Sequence, residues 1–226
     1  MKTRFISILL IFALFAGISI TSEVSAQGTK KYGETPEDSV ECIMNLSLYS
    51  EFYKQWKGSG YKNASIDDAY GPWKLVYKHC PAARLGTYVD GVKMITYFIK
   101  REKDEARKNA LIDTLMMVYD TRIQYFGKEG YVLGRKGVDL YSMRIQEYEE
   151  AYEILSKSVE IDGNKSYPDV LVFFMRATKK MIDEGKAPED IIFDNYDISS
   201  KIIEHNLEAY KDKPKKLSNW ENVRGN

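Results

Sequence analysis

Cys42 and Cys80 are the only thiols in 226 residues, and His79 and His205 are the only imidazoles. Thiol redox, soft-metal and imidazole chemistry therefore rests on four side chains. No Cys-x-x-Cys is present, so disulfide-exchange catalysis has no support. The chain also lacks HExxH, GxSxG, a Walker loop and paired zinc-ligand spacing. Gly134-Arg-Lys-Gly137 resembles a phosphate cradle only in composition, since it has neither the GxxxxGK[ST] spacing nor a preceding strand signal. His79 and His205 both fall near predicted helix ends, where a cation beside the negative pole is sufficient explanation. Carboxylates are abundant, yet they sit beside lysines and other polar residues, as in Glu147-Tyr-Glu-Glu150. A hydrolase using two paired carboxylates leaves no sequence spacing to read and stays as the lesser alternative. The chain is expected to be no enzyme, with no catalytic residue, cofactor or metal site.

The start of the chain predicts where those cysteines reside. Met1-Lys-Thr-Arg4 is basic, Phe5 to Ile20 is apolar, and Val24-Ser-Ala26 carries small residues at the positions a signal peptidase reads. A run of that length is short of the roughly 20 residues a membrane span needs, so it reads as a secretory leader cleaved after Ala26. No cysteine follows the cleavage point, which disfavours a lipid anchor. Removing Lys2, Arg4 and Glu23 from the 33 basic and 33 acidic residues leaves 31 against 32, a net charge of −1. So even a balance predicts no nucleic-acid partner. Export places the thiols in an oxidising compartment. If residues 37–57 and 66–80 form an antiparallel hairpin turning near Tyr61, Cys42 lies 19 residues before the turn and Cys80 lies 19 after it. The two would then meet and could form a structural disulfide; two reduced, buried cysteines are the other reading.

The elements that position these residues are helices. Thr35-Pro36-Glu-Asp38 is a start signal of hydroxyl cap, proline and acids. The helix after it is apolar on more than one face, which predicts neighbours on several sides. A partner over 66–80 contains Gly71-Pro72, expected to bend it or leave a backbone bond unmade. Further helices are predicted over 83–100, 104–126, 129–143, 148–162, 169–184 and 188–210. Gly130, Gly134 and Gly137 within one of them mark close helix approach. The expected layout is a leader at 1–26, a disordered lead at 27–35, a helical repeat domain at 36–210, and a linker at 211–226 that begins a further or capping helix.

The second helices share a grammar. Ala69, Trp73 and Val76, and Ala151, Leu155 and Ser158, repeat a small, large, small pattern at i, i+4 and i+7 before a breaker, Pro81 or Gly163. Ala69 and Ala151 lie 82 residues apart, and a step of 41 predicts equivalent positions at Ala110 and Ile192. Residues 64–82 and 148–164 resemble the second helix of a tetratricopeptide (TPR) repeat; 104–126 and 188–206 match only as amphipathic helices. The phrases Glu41-Cys-Ile-Met-Asn-Leu-Ser-Leu-Tyr49, Gly130-Tyr-Val-Leu-Gly-Arg-Lys-Gly137 and Glu160-Ile-Asp-Gly-Asn-Lys-Ser166 extend the likeness. The mature chain thus resembles a largely uncharacterised family of exported TPR proteins of Gram-negative bacteria. That resemblance implies an all-α fold, a right-handed α-α superhelix of about four helical hairpins. Sel1-like and HEAT-like repeats are alternative labels for a step near 41.

Stacked hairpins build a long concave face from their first helices, so the expected function is a non-catalytic periplasmic scaffold or adaptor holding a protein or peptide. Candidate contacts are Asn45, Tyr49, Tyr88, Arg135 and Arg176. The alternative is an outer-membrane-associated glycan or nutrient-binding helper, which predicts a lipidation cysteine and a loop-rich insertion.

Overall fold

The structure, a computed structural model, describes residues 31–224. The expected leader and residues 27–30 lie outside the described residues. Thr35 opens the first helix with a capping box: its Oγ1 accepts from the Asp38 amide at 3.1 Å, and its own amide donates to Asp38 Oδ2 at 3.0 Å. Pro36 takes the first helical position, where a missing N–H costs nothing. The helices are α1 Pro36–Gly58, α2 Ser65–His79, α3 Gly86–Arg101, α4 Glu105–Phe126, α5 Glu129–Met143, α6 Tyr148–Asp162, α7 Pro168–Asp183, α8 Ile191–Ala209 and α9 Pro214–Arg224. No strand occurs among the described residues.

Several stops follow from local chemistry. Gly60, Gly127, Gly163 and Gly185 all adopt positive φ at or just beyond helix ends. Only a residue without a side chain does so cheaply, which is why these turns end helices. Asp104 caps α4 by accepting from the Arg107 amide at 2.8 Å. Two starts differ from expectation. α3 begins at Gly86 because residues 80–85 form a turn, with the Ala83 amide donating to the Cys80 carbonyl at 3.0 Å. α8 begins at Ile191 because 188–190 make another turn. Helix α2 continues through Pro72.

Helices pack in sequence order. α1 lies on α2, α3 on α4, α5 on α6 and α7 on α8; α2–α3, α4–α5, α6–α7 and α5–α7 contacts join successive pairs, and α9 covers α7 and α8. The apolar interior accordingly runs along the stack instead of closing round one centre. One stretch spans α1 to α6, a second spans α6 to α9, and Tyr141 packs against both. This is an α-α superhelical repeat of four hairpins followed by α9.

Each second helix buries a stripe at i, i+4 and i+7: Ala69, Trp73 and Val76; Ile112, Met116 and Tyr119; Ala151, Leu155 and Ser158; Asn195, Ser199 and Ile202. A uniform step of 41 is thereby corrected. Ala110 is exposed and Ile192 half-buried. Longer and shorter turns shift the phase by two or three residues, and the buried position falls at Ile112 and Asn195.

Glycines set the closest approach. A Cβ at Gly137 would lie 2.6 Å from Leu155, and one at Gly134 would lie 2.8 Å from Ser158 Oγ and Val170. The bare stripe on α5 is therefore where α6 lies against it, and Ser158 Oγ donates to the Gly130 carbonyl at 2.7 Å. Helix α1 departs from expectation. Val40, Ile43, Met44 and Leu48 form a second apolar stripe that stays 42–68% exposed, so among the described residues no neighbour covers it.

Candidate functional site

The first helices α1, α3 and α7 each bury one stripe and leave the opposite side open, whereas α5 is buried or half-buried along its length except at Ser142. On α3 the open side carries Val89, Lys93, Thr96 and Lys100 at i, i+4, i+7 and i+11. On α7 the same spacing gives Val172, Arg176, Lys179 and Asp183. α1 contributes Ser47, Ser50 and Lys54, and α5 contributes Arg135, Asp139 and Ser142. Side-chain contacts join α1 to α3 and α5 to α7. Tyr49 meets Thr87, Trp56 packs edge-on against Tyr97, Arg135 bonds Asp169, and the Tyr141 ring packs on Phe173.

Carboxylates on this side are engaged. Asp169 takes a two-pronged bond from Arg135 at 2.6 and 2.7 Å, and Asp90 pairs with Arg84 at 3.1 Å. Asp183 pairs with Lys179 at 2.6 Å, and Asp139 accepts from the Tyr119 hydroxyl at 2.6 Å. Glu51 accepts from the Gln55 amide at 3.2 Å. The cations are less occupied. Lys54, Lys100 and Arg176 have no carboxylate within ion-pair distance among the described residues, and Lys93 donates only to the Tyr61 hydroxyl at 3.2 Å. The guanidinium of Arg176 lies over the Phe173 ring at 5.1 Å.

Burial pushes the Asp139 carboxyl above the usual carboxylate range, against the opposing pull of the Tyr119 hydroxyl and Arg135. Burial likewise raises the Tyr119 phenol. Asp90 is also raised by burial, with the Arg84 charge acting the other way. These acids sit in packed pairs between helices, where they hold neighbours in place. A shallow cavity of about 440 Å³ beside α1 is lined by Leu46, Ser47, Ser50, Glu51, Lys54 and Arg84, and so holds a single carboxylate. A smaller one is lined by Asp38, Glu41, Cys42, Asn45, Leu75 and His79. Among the described residues no group of three or more His, Cys, Asp or Glu is placed to hold a metal, and no helix is long and apolar enough to cross a membrane.

Three of the five expected contact residues are corrected by their position. Asn45 is 5% exposed and its amide donates to the Glu41 carbonyl at 2.9 Å on its own helix. Tyr49 is fully buried, its hydroxyl accepting from Arg84 at 2.8 Å. Tyr88 is fully buried too, donating to the Pro81 carbonyl at 2.8 Å between Tyr77 and Phe126. Tyrosine carries a large apolar ring and one polar tip, and here each tip finds its partner inside. Arg176 is exposed on α7 with no carboxylate within ion-pair distance among the described residues, and Arg135 is half-buried on α5 and paired with Asp169. Sequence reasoning missed Lys54, Lys93 and Lys100. The signal available was the seven-residue step from Lys93 to Lys100 on one helical face.

Cys42 and Cys80 have their sulfurs 2.00 Å apart, disulfide distance, with Cα atoms separated by 6.2 Å. The pair ties the start of α1 to the end of α2.

No protein-family model matches this chain, and no curated protein matches it. Among solved structures it is similar to the crystal structure of a thermophilic TPR protein from Thermus thermophilus. The TM-score is 0.46 at 11% identity, over 81% of this chain and 97% of that one.

Proposed function

We propose that this chain is a non-catalytic scaffold or adaptor, exported to the periplasm, that holds a protein or peptide partner along the inner side of α1, α3, α5 and α7. The observation that carries this reading is the exposed sides of the first helices α1, α3 and α7, furnished with polar and cationic side chains such as Lys54, Lys93 and Arg176. Stacked helical hairpins generate extended surfaces of this kind, and binding on them needs only surface chemistry. Supporting export, the Cys42–Cys80 pair at disulfide distance is what an oxidising compartment favours in a structural role.

The experiment is site-specific photocrosslinking in cells that express the full chain. Crosslinkers at Lys93, Ser142 and Arg176 are expected to capture one defined protein, and crosslinkers at Asp68 and Glu153 on the second helices are not. Capture of the same set from both sides would sink the reading.

A further inference from the structure

We propose that two copies of this chain pair through the exposed apolar face of α1, lying antiparallel about a twofold axis. The observation behind it is a difference between the two ends of the stack. At one end α9 lies on α7 and α8, with Trp220 buried and Lys215, Lys216, Ser218, Asn219 and Glu221 exposed. That is the polar cap a helical array needs on its last apolar flank. At the other end Val40, Ile43, Met44 and Leu48 are 68, 49, 54 and 42% exposed. They recur at i, i+3, i+4 and i+8, so they share one side of the helix, as residues facing a packed neighbour do. Leu75 of α2, 40% exposed, widens the patch from across a small cavity that it shares with Glu41 and Asn45.

The two ends match only when like meets like. Set head to tail, one copy would press its α1 stripe onto the charged outer side of α9 in the next. Set head to head, each copy covers the apolar residues of the other and the assembly closes at two, as isologous interfaces do. Charge selects the direction. On α1 the exposed acids Glu37 and Glu41 come early and the exposed lysines Lys54 and Lys57 come late, with Glu51 on the same side as Val40 and Met44. A parallel pair lays Glu51 against Glu51 and brings Lys54 level with Lys54. An antiparallel pair centred near Met44 sets the Val40 end of one copy beside the Leu48 end of the other, and runs each acidic start toward the other's lysines. Charge complementarity of that kind fixes register. The five partly exposed side chains offer on the order of 400 Å² of apolar surface, within the range of the largest and often functional patches on monomers. Two such faces bury about 800–1,000 Å² in total, at the lower edge of specific interfaces. The dimer is therefore a dissociating one, its population set by concentration.

Sedimentation velocity of the purified native chain tests the pairing. From about 1 to 200 μM the mean mass should climb toward twice that of one chain, with a dissociation constant on the order of 10–100 μM. Met44→Lys, at a position 54% exposed, sets two like charges close to the axis. It should weaken association at least about ten-fold at unchanged helicity. Phe193→Lys, at a position 70% exposed on α8, is the control and should leave association unmoved. A photocrosslinker in place of Leu48, read in a mixture of light- and heavy-isotope chains, should join the region around Val40 of the other copy. A monomer at every concentration would leave the face to another occupant and overturn the proposal. A dimer that survives Met44→Lys, or is weakened as much by Phe193→Lys, would overturn it too, as would crosslinks from position 48 to position 48, the signature of a parallel pair.

Discussion

The indole of Trp73 fills the space that a side chain at position 91 would need: a Cβ on Gly91 would lie 2.4 Å from Trp73 Cζ2. The indole nitrogen donates to the Thr87 carbonyl at 2.7 Å, one turn before that glycine. Trp73 is fully buried and stacks between Tyr70 and Tyr77 of its own helix, which fixes the indole against the glycine. Gly91→Ala is therefore expected to destabilise by about 1–3 kcal/mol, the usual range for overpacking. Urea unfolding followed by tryptophan fluorescence checks it, and a change within about ±0.5 kcal/mol, the range of surface substitutions, would show that the indole yields.

The cysteine pair gives a redox prediction. Closing the segment from 42 to 80 stabilises by about 4 kcal/mol on the chain-entropy account, as an upper figure. Adding reductant should lower the Tm of the native chain and leave that of the Cys42→Ala, Cys80→Ala double variant unmoved. Non-reducing peptide mapping of exported protein should recover the two cysteines in one crosslinked fragment.

Repeat phase is testable at two alanines. Ala151 is fully buried against α5, whereas Ala110 is exposed on α4. Ala151→Leu should cost about 1–3 kcal/mol through overpacking. Ala110→Leu should stay within about 0.5 kcal/mol, as surface changes do. Equal costs would restore the 41-residue register.

Asp139 predicts a pH effect with a definite sign. Its folded pKa is raised above the ordinary 3.8 by burial. The folded state then binds the proton more tightly than the unfolded one, so this group favours folding at low pH. That contribution is lost as pH rises from about 3.8 through the folded value. Asp139→Asn keeps an acceptor for Tyr119 and removes the titration. Its stability relative to the native chain should therefore increase with pH across that window. Tyr119, Arg135, Asp169 and Lys100 surround the group electrostatically, and they are present in both proteins. A difference that stays flat from the ordinary carboxylate pKa up to neutral pH would count against a raised Asp139.

Arg135 and Asp169 join the third hairpin to the fourth through a two-pronged bond, with side chains 25% and 48% exposed. A double-mutant cycle with Arg135→Ala and Asp169→Ala should give a coupling of about 0.5–1 kcal/mol, the upper part of the range for exposed pairs. Zero coupling would identify the pair as incidental.

The sequence by itself determined the helices and their order. Caps such as Thr35, stops such as Gly127 and Gly163, and apolar stripes at i, i+4 and i+7 act within a few residues, so they can be read without neighbours. The meeting of Cys42 with Cys80 was legible for the same reason, because a two-helix hairpin has one simple register. Which side of a first helix faces inward was not. α1 carries two apolar stripes, Cys42-Tyr49-Tyr53-Trp56 and Val40-Ile43-Met44-Leu48, and only packing against α2 and α3 decides that the former is buried. That choice withdrew Asn45 and Tyr49 from the open side, and the packing of α3 withdrew Tyr88. The pairing of charges was equally hidden, since Arg135 finds Asp169 across 34 residues while Lys54 and Arg176 have no acid within ion-pair distance among the described residues. Helix formation is governed by local backbone and side-chain energetics, whereas the choice of buried face and the distribution of unpaired charge depend on how separate helices meet.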